Sequence, residues 1–522
     1  MSFNTLDFML LLAGTLILYF LLPQKLRNPL LLVASYVFYA AYSLGLTLFL
    51  VIMTLITYVL ALEIDRCREV KGGKVSKAWM IVGVVISLGT LAFYKYFNFL
   101  SDALAGLSGA KKATHLSLLV PLGISFVVFT LVSYLVDVYR GKIPAERNIL
   151  KYALFVSFFP KVVQGPIEKA GDILPQFDEK HSFDILRFRR GMLMVLYGLF
   201  MKMVVADTAS VAVDTVYNSL ATYGMGSSYH GAATLAATLL FTFQIYCDFA
   251  GYSLVAIGSA YVMGFNFKQN FRQPYLSLSV AEFWRRWHIS LNRWLIDYLY
   301  IPLGGSRCKK SRKYYNTMVT FGLSGLWHGA DWGYIVWGLL NGLYIVIESE
   351  LKLLKEKIRS LGKKEEAHHD DPRWTVAEPT PSVIGPAISS FFHRAITFIL
   401  IMFSWIFFRA QKLSVAMVAL RKIFTDLQLK GFITWAGSKL AGGVGSTLLG
   451  LDVVYRLPIL LAGILVIVIV DRLAEKRDLA GSLAEGSRVL RWIIAYALIF
   501  AIMIFGVYGY GYSAGAFIYA GF

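Results

Sequence analysis

Apolar runs recur along this sequence, separated by short basic segments, and they decide its fold class. Residues 8–22, 46–62, 79–100, 116–138 and 388–408 approach or exceed the length that crosses the hydrocarbon core of a bilayer. Further runs lie at 29–42, 152–163, 191–206, 231–246, 254–265, 317–327, 332–347, 457–470 and 492–508. In hydrocarbon a segment must satisfy its own backbone polar groups, which leaves helices as the form for runs of this kind. The expectation is an all-α polytopic membrane protein, a single integral-membrane unit over residues 1–522. It would have roughly 10 to 12 crossings plus re-entrant pieces. Only 16% of the chain is charged and its mean hydropathy is +0.59. The polar stretches are too short to build soluble cores.

The net charge of +19 comes from basic residues in the loops between apolar runs. Topology and anionic lipid explain that placement better than nucleic acid does. Lys25 and Arg27 follow the first run, Arg66, Arg68, Lys71, Lys74 and Lys77 the third, and Arg140, Lys142 and Arg147 the fifth. All fall on one side if the N-terminus is extracytoplasmic, so these loops are expected in the cytoplasm. The basic segments 307–313 and 352–373 join them. The first run follows Asp7 and no basic residue, and reads as an uncleaved helix. Three cysteines without a CxxC pair suggest neither a disulfide framework nor a zinc site. Prolines and acidic residues mark a flexible linker near 361–386, and His368 and His369 within it read as solvated rather than metal-binding.

Two stretches carry candidate chemistry. The first is "SGLWHGADWG", residues 324–333. The region from 314 to 347 starts and ends at basic segments, so it must enter the membrane and return, with its break at the glycines around His328. An ionisable side chain at that depth is functional by default. Asp331 has two readings, orienting the His328 ring or capping the helix that starts at Trp332. The second stretch is "SVAEFWRRWHISLNRWLIDYLYIPLGGSR", residues 279–307. Read as one helix, it places Trp284, His288, Leu291, Leu295 and Tyr298 on one face. Arg286, Ser290, Arg293 and Asp297 fall on the other, the pattern of an interfacial amphipathic helix.

If the two histidines converge, a neutral imidazole can take a proton from a hydroxyl near neutral pH. No GxSxG motif supplies a serine nucleophile, so direct attack of an activated hydroxyl on a bound thioester is the simpler chemistry. Trp284, Trp287 and Trp327 would then shape a tunnel for the donor's acyl arm. Arg285, Arg286 and neighbouring lysines would hold donor phosphates or an acidic carrier protein. Gln164 and Glu168 either line the tunnel or sit in a re-entrant turn around Gly165. Lys202 and Asp207 read as a helix-end anchor and cap, with a polar tunnel wall as the alternative.

"FWRRWHISLNRWLIDYLYIPLGG" followed by "GLWHGADWGYIVWGLLNG" resembles the membrane-bound O-acyltransferase family. The likeness is greatest to its bacterial branch that acetylates alginate, with the D-alanine transferase of teichoic acids as a cousin. Further matches include "PLGISF", "FFPKVVQGPIEKA", "FQIYCDFAGYS" and "SWIFFRA". The resemblance implies a helical ring around a central tunnel, with re-entrant and interfacial helices. It implies His328 as the catalytic histidine and His288 as a second polar position. The donor would be acetyl-CoA or an acyl-phosphopantetheine carrier, with no tightly bound cofactor and no metal. The acceptor would be an extracytoplasmic polysaccharide or an acyltransferase partner, across the bacterial cytoplasmic membrane. Family members commonly carry an acid where this chain has Leu254, while Asp248 is retained as a candidate binding residue. The rivals are a carrier-fed D-alanyl or acyl transferase, a transporter or flippase, and a scaffold for an export complex. The segment near 411–456 is expected outside, as a docking surface for a partner.

Overall fold

The computed structural model describes residues 2–70, 73–108, 114–117, 120–121, 123–362 and 386–508. The linker near 361–386, with His368 and His369, lies almost wholly outside the described residues. Among the described residues the fold is all-α apart from a two-stranded hairpin, β1 (Thr447–Leu448) with β2 (Leu451–Asp452). Its first half runs α1 (Leu6–Leu21), α2 (Gln24–Ala40), α3 (Leu44–Val70), α4 (Gly73–Ser108), α5 (Ile124–Tyr139), α6 (Ile149–Ser157) and the single turn α7 (Ala170–Ile173). Then come α8 (Ile185–Leu199), α9 (Asp207–Tyr223) and α10 (Gly231–Val262), followed by the short α11 (Val280–Arg286) and α12 (Ile289–Leu295). The second half holds α13 (Lys310–His328), α14 (Trp332–Gly362), α15 (Pro386–Ala410), α16 (Leu413–Thr425) and α17 (Leu429–Ala441). It ends on α18 (Arg456–Ala474), α19 (Leu479–Glu485) and α20 (Arg488–Phe505).

Seven helices among the described residues are long and apolar enough to cross a membrane, and α1 and α5 are shorter apolar helices. The apolar window of α10 is 83% buried, whereas those of α18 and α20 are 17% and 11% buried. A helix apolar all round and enclosed by protein is a core element, so α10 is the axis of the bundle and α18 and α20 face lipid. The separate runs expected at 231–246 and 254–265 are one continuous helix, α10, because no glycine–proline break or polar turn separates them.

Small residues set the closest helix contacts. On α8 and α10, Gly191 faces Gly258 and Gly198 faces Gly251. A Cβ on Gly198 would stand 2.5 Å from the carbonyl oxygen of Gly251. Such contact between backbones is the packing that drives association where lipid removes the hydrophobic incentive. The α13–α14 hairpin closes the same way, since a Cβ on Gly325 would lie 2.2 Å from the Tyr334 carbonyl oxygen. Its break is 329–331, as the flanking basic segments require.

After α6 the chain leaves helix and runs buried through residues 158–168 before α7. Irregular backbone at that depth is tolerated because protein encloses it. The Phe159 N–H donates to Ser35 Oγ (3.1 Å), and the Ile167 N–H donates to Ser290 Oγ (3.0 Å). Between α8 and α9 lies a π-helical segment, Phe200–Ala206. It presents Lys202 to two carboxylates, Asp207 at 2.7 Å and Asp248 at 2.6 Å.

Candidate active site

The interfacial stretch is not one helix. It breaks at His288, whose φ of 43° and ψ of 54° are left-handed. A residue with a Cβ reaches that region at a cost of about 1–2 kcal/mol, so something must hold it there. The loop before α11 does so. Arg272 N–H donates to the Arg286 carbonyl (2.9 Å), and Ile289 N–H donates to the Asn270 carbonyl (2.9 Å). The expected polar face therefore fails at Ser290, which is buried against Asn270 and the 158–168 segment.

The break brings His288 to His328. His328 ends α13 and is 2% exposed; His288 is 1% exposed. The Trp327 indole lies between them, 6.1 Å from the His288 ring and 4.8 Å from the His328 ring by centroids. Beyond His328 the rings continue through Trp337 (5.0 Å), Trp405 (5.6 Å from Trp337) and Trp287 (5.1 Å from Trp405). Phe271 returns the path, 5.0 Å from Trp287 and 6.5 Å from His288. The two imidazoles are thus members of a closed circuit of seven aromatic rings. It is drawn from the loop before α11 (Phe271), from the break after α11 (Trp287 and His288), and from α13, α14 and α15. Trp284 stands behind it, its ring 5.6 Å from Trp337 and its Nε1–H donating to Asn341 Oδ1 (3.2 Å).

The end of α13 is held from α4. A helix terminus leaves its last carbonyls without intrahelical partners. Tyr96 donates its hydroxyl to the Leu326 carbonyl (2.8 Å), and Lys95 donates its ammonium to the Trp327 carbonyl. Beyond His328 a cleft of about 360 Å³ is lined by Lys95, Asn98, Gly329, Asp331, Tyr334 and Lys412, among others. Asp331 Oδ1 accepts the Gly333 N–H (2.9 Å), so its carboxylate caps α14.

Other candidate residues take different places. Arg285 is exposed, and Arg286 pairs with Glu282 (2.6 Å) and Glu475 (3.6 Å). Asp248 pairs with Lys202, and its neighbour Phe249 packs edge-on against His288 at 4.6 Å. Gln164 is buried in the segment that reaches Ser290. Gly304 and Gly305, both at positive φ, form a turn between α12 and α13. Sequence reasoning passed over Lys95, Asn270 and Asn341. Lys95 and Asn341 are single polar residues inside apolar runs, which was their signal.

A sequence model of the membrane-bound O-acyltransferase family matches residues 31–363, which include both histidines. The chain is 37% identical over 427 residues to a probable alginate O-acetylase of Pseudomonas aeruginosa, covering 81% of this chain and 73% of that one. It is 38% identical to the corresponding protein of Pseudomonas putida over 404 residues, 76% of this chain and 75% of that one. A peptidoglycan O-acetyltransferase of Helicobacter pylori is 31% identical over 438 residues, 77% of this chain and 76% of that one. With an apolar helical bundle, two buried histidines in one aromatic enclosure and a family match over more than half its length, the chain belongs to the membrane-bound O-acyltransferase family and is an O-acyltransferase of the membrane.

Proposed function

We propose that this O-acyltransferase moves an acetyl group from a cytoplasmic thioester to a hydroxyl outside the bacterial cytoplasmic membrane. The donor is acetyl-CoA or an acyl-phosphopantetheine carrier. The acceptor is a polysaccharide or an extracytoplasmic partner protein, and the N-terminus is extracytoplasmic. His328 takes the proton of the acceptor hydroxyl as its oxygen attacks the thioester carbonyl. The tetrahedral intermediate then expels the thiolate, which recovers the proton from His328. The net exchange is an ester and a thiol for a thioester and an alcohol. The ring circuit brackets the acyl arm, and Arg286 with its neighbours lies toward the donor side. Three relatives named for O-acetylation support acetyl as the group transferred.

The observation that carries this reading is the convergence of His288 and His328 on Trp327, beside a cleft that begins at Gly329. The test uses purified protein in nanodiscs with radiolabelled acetyl-CoA. Wild type should turn over the thioester. His328→Ala should lose at least about 10²-fold, the usual contribution of a positioned general base, with its elution profile unchanged. Equal turnover in the two proteins would remove His328 from the mechanism. Absence of turnover in both, with fold intact, would move the donor to a carrier protein, as in a D-alanyl transferase, or reopen transport without chemistry.

A further inference from the structure

The hydrogen bonds around His288 decide which ring nitrogen carries its proton. Asn270 Oδ1 lies 3.1 Å from His288 Nδ1, 2.9 Å from Ser290 Oγ and 3.3 Å from the Ser290 backbone nitrogen. A backbone N–H can only donate, so the Asn270 atom turned toward it is the oxygen; a flipped amide would set two donors face to face. The Ser290 hydroxyl points the same way, because its oxygen already accepts the Ile167 N–H at 3.0 Å. His288 Nδ1 therefore faces an oxygen that has no proton to give, and must itself donate. In a neutral imidazole that leaves Nε2 as a bare lone pair. Nε2 is buried and, among the described residues, has no hydrogen-bond partner. Phe249, Trp327, Phe126 and Phe271 surround the ring. A buried acceptor without a partner is costly, and in a native protein it calls for an explanation.

We propose that Asn270 is a positioning residue that holds His288 as the Nδ1–H tautomer, so that Nε2 accepts a hydrogen bond from an O–H or N–H group of the substrate. The inference rests on the reading that His288 belongs to the reaction centre. It also narrows the role of His288. In this state it cannot donate to a thioester carbonyl or to an oxyanion. It receives either a hydroxyl of the acceptor other than the attacking one, whose proton goes to His328, or an amide N–H of the donor's arm.

The test reads the tautomer directly. Protein labelled with 15N-histidine in nanodiscs is measured by solid-state NMR, and the His288 signals are found by difference from His288→Gln among the eight histidines. Wild type should show a protonated Nδ1 and an unprotonated Nε2 at His288. Asn270→Ala should lose that signature, and acetyl-CoA turnover should fall about 10–100-fold, as for other residues that orient a functional histidine. Asn270→Asp, which still accepts from Nδ1, should restore the signature and most of the rate. A raised KM for acetyl-CoA in Asn270→Ala would assign the bond to the donor amide; an unchanged KM with lower kcat would assign it to the hydroxyl. A protonated Nε2 in wild type, or a signature that survives in Asn270→Ala, would overturn the proposal. Wild-type turnover in His288→Gln would instead overturn the reading beneath it, with the tautomer assignment left standing.

Discussion

At the scale of single residues, the site is a set of side chains whose positions are fixed by groups distant in sequence. His328 is placed by what holds Trp327, and that is Lys95, on a helix more than two hundred positions earlier. Lys95→Met should remove the hold on the end of α13 and lower kcat about 10²-fold, since a displacement near 1 Å at a reacting group costs that much. The KM for the acyl donor should stay close to wild type, and Lys95→Arg should recover much of the rate. A Lys95→Met enzyme with raised KM and full kcat would show a binding role instead. His328 was legible in the sequence because a histidine between glycines in an apolar region has few structural reasons to be there. The lone Lys95 was equally visible, but nothing in the sequence pairs it with residue 327. The left-handed turn at His288 was not legible at all. A helical period continues through residues 280–298, and Asn270 and Arg272, outside that period, hold the break in it.

At the scale of elements, helix existence followed from apolar length, and the α13–α14 hairpin from the basic segments that bound it. What stayed hidden was the contact between α8 and α10. Gly191 and Gly198 repeat at the spacing of Gly251 and Gly258, but glycines in one run do not announce their partners in another. Gly251→Leu should force those backbones apart and cost about 1–3 kcal/mol or more, the penalty of overpacking a dense contact. A lowered thermal midpoint in detergent would register it. Gly89→Leu on α4, where a Cβ meets nothing within 4 Å, should leave the midpoint unchanged. The π-helical segment was likewise invisible. Its cause is tertiary: Lys202 and two carboxylates gathered between α8 and α10, where a single unpaired charge would be expensive.

At the scale of the whole molecule, the fold class was the most legible property and the membrane orientation the most open to test. Ala330 lines the cleft beside His328, while Cys308 sits partly exposed just before α13. Cys67 and Cys247 are buried. With Ala330→Cys in intact cells, a membrane-impermeant maleimide should label residue 330, and Cys308 only after permeabilisation. The reverse pattern would invert the topology and turn the cleft toward the cytoplasm.

The long reach of the Lys95 bond also bears on how such a protein is made. The ribosome delivers α4 early, the Trp327 carbonyl that Lys95 holds late, and Trp405 and Phe408 on α15, which pack against Trp287 and His328, later still. No shorter nascent chain contains the whole enclosure. A stalled or prematurely terminated product therefore has the anchor without the histidines, or the histidines without the indole that closes around them. Such a product lacks the enclosure on which the proposed transfer depends.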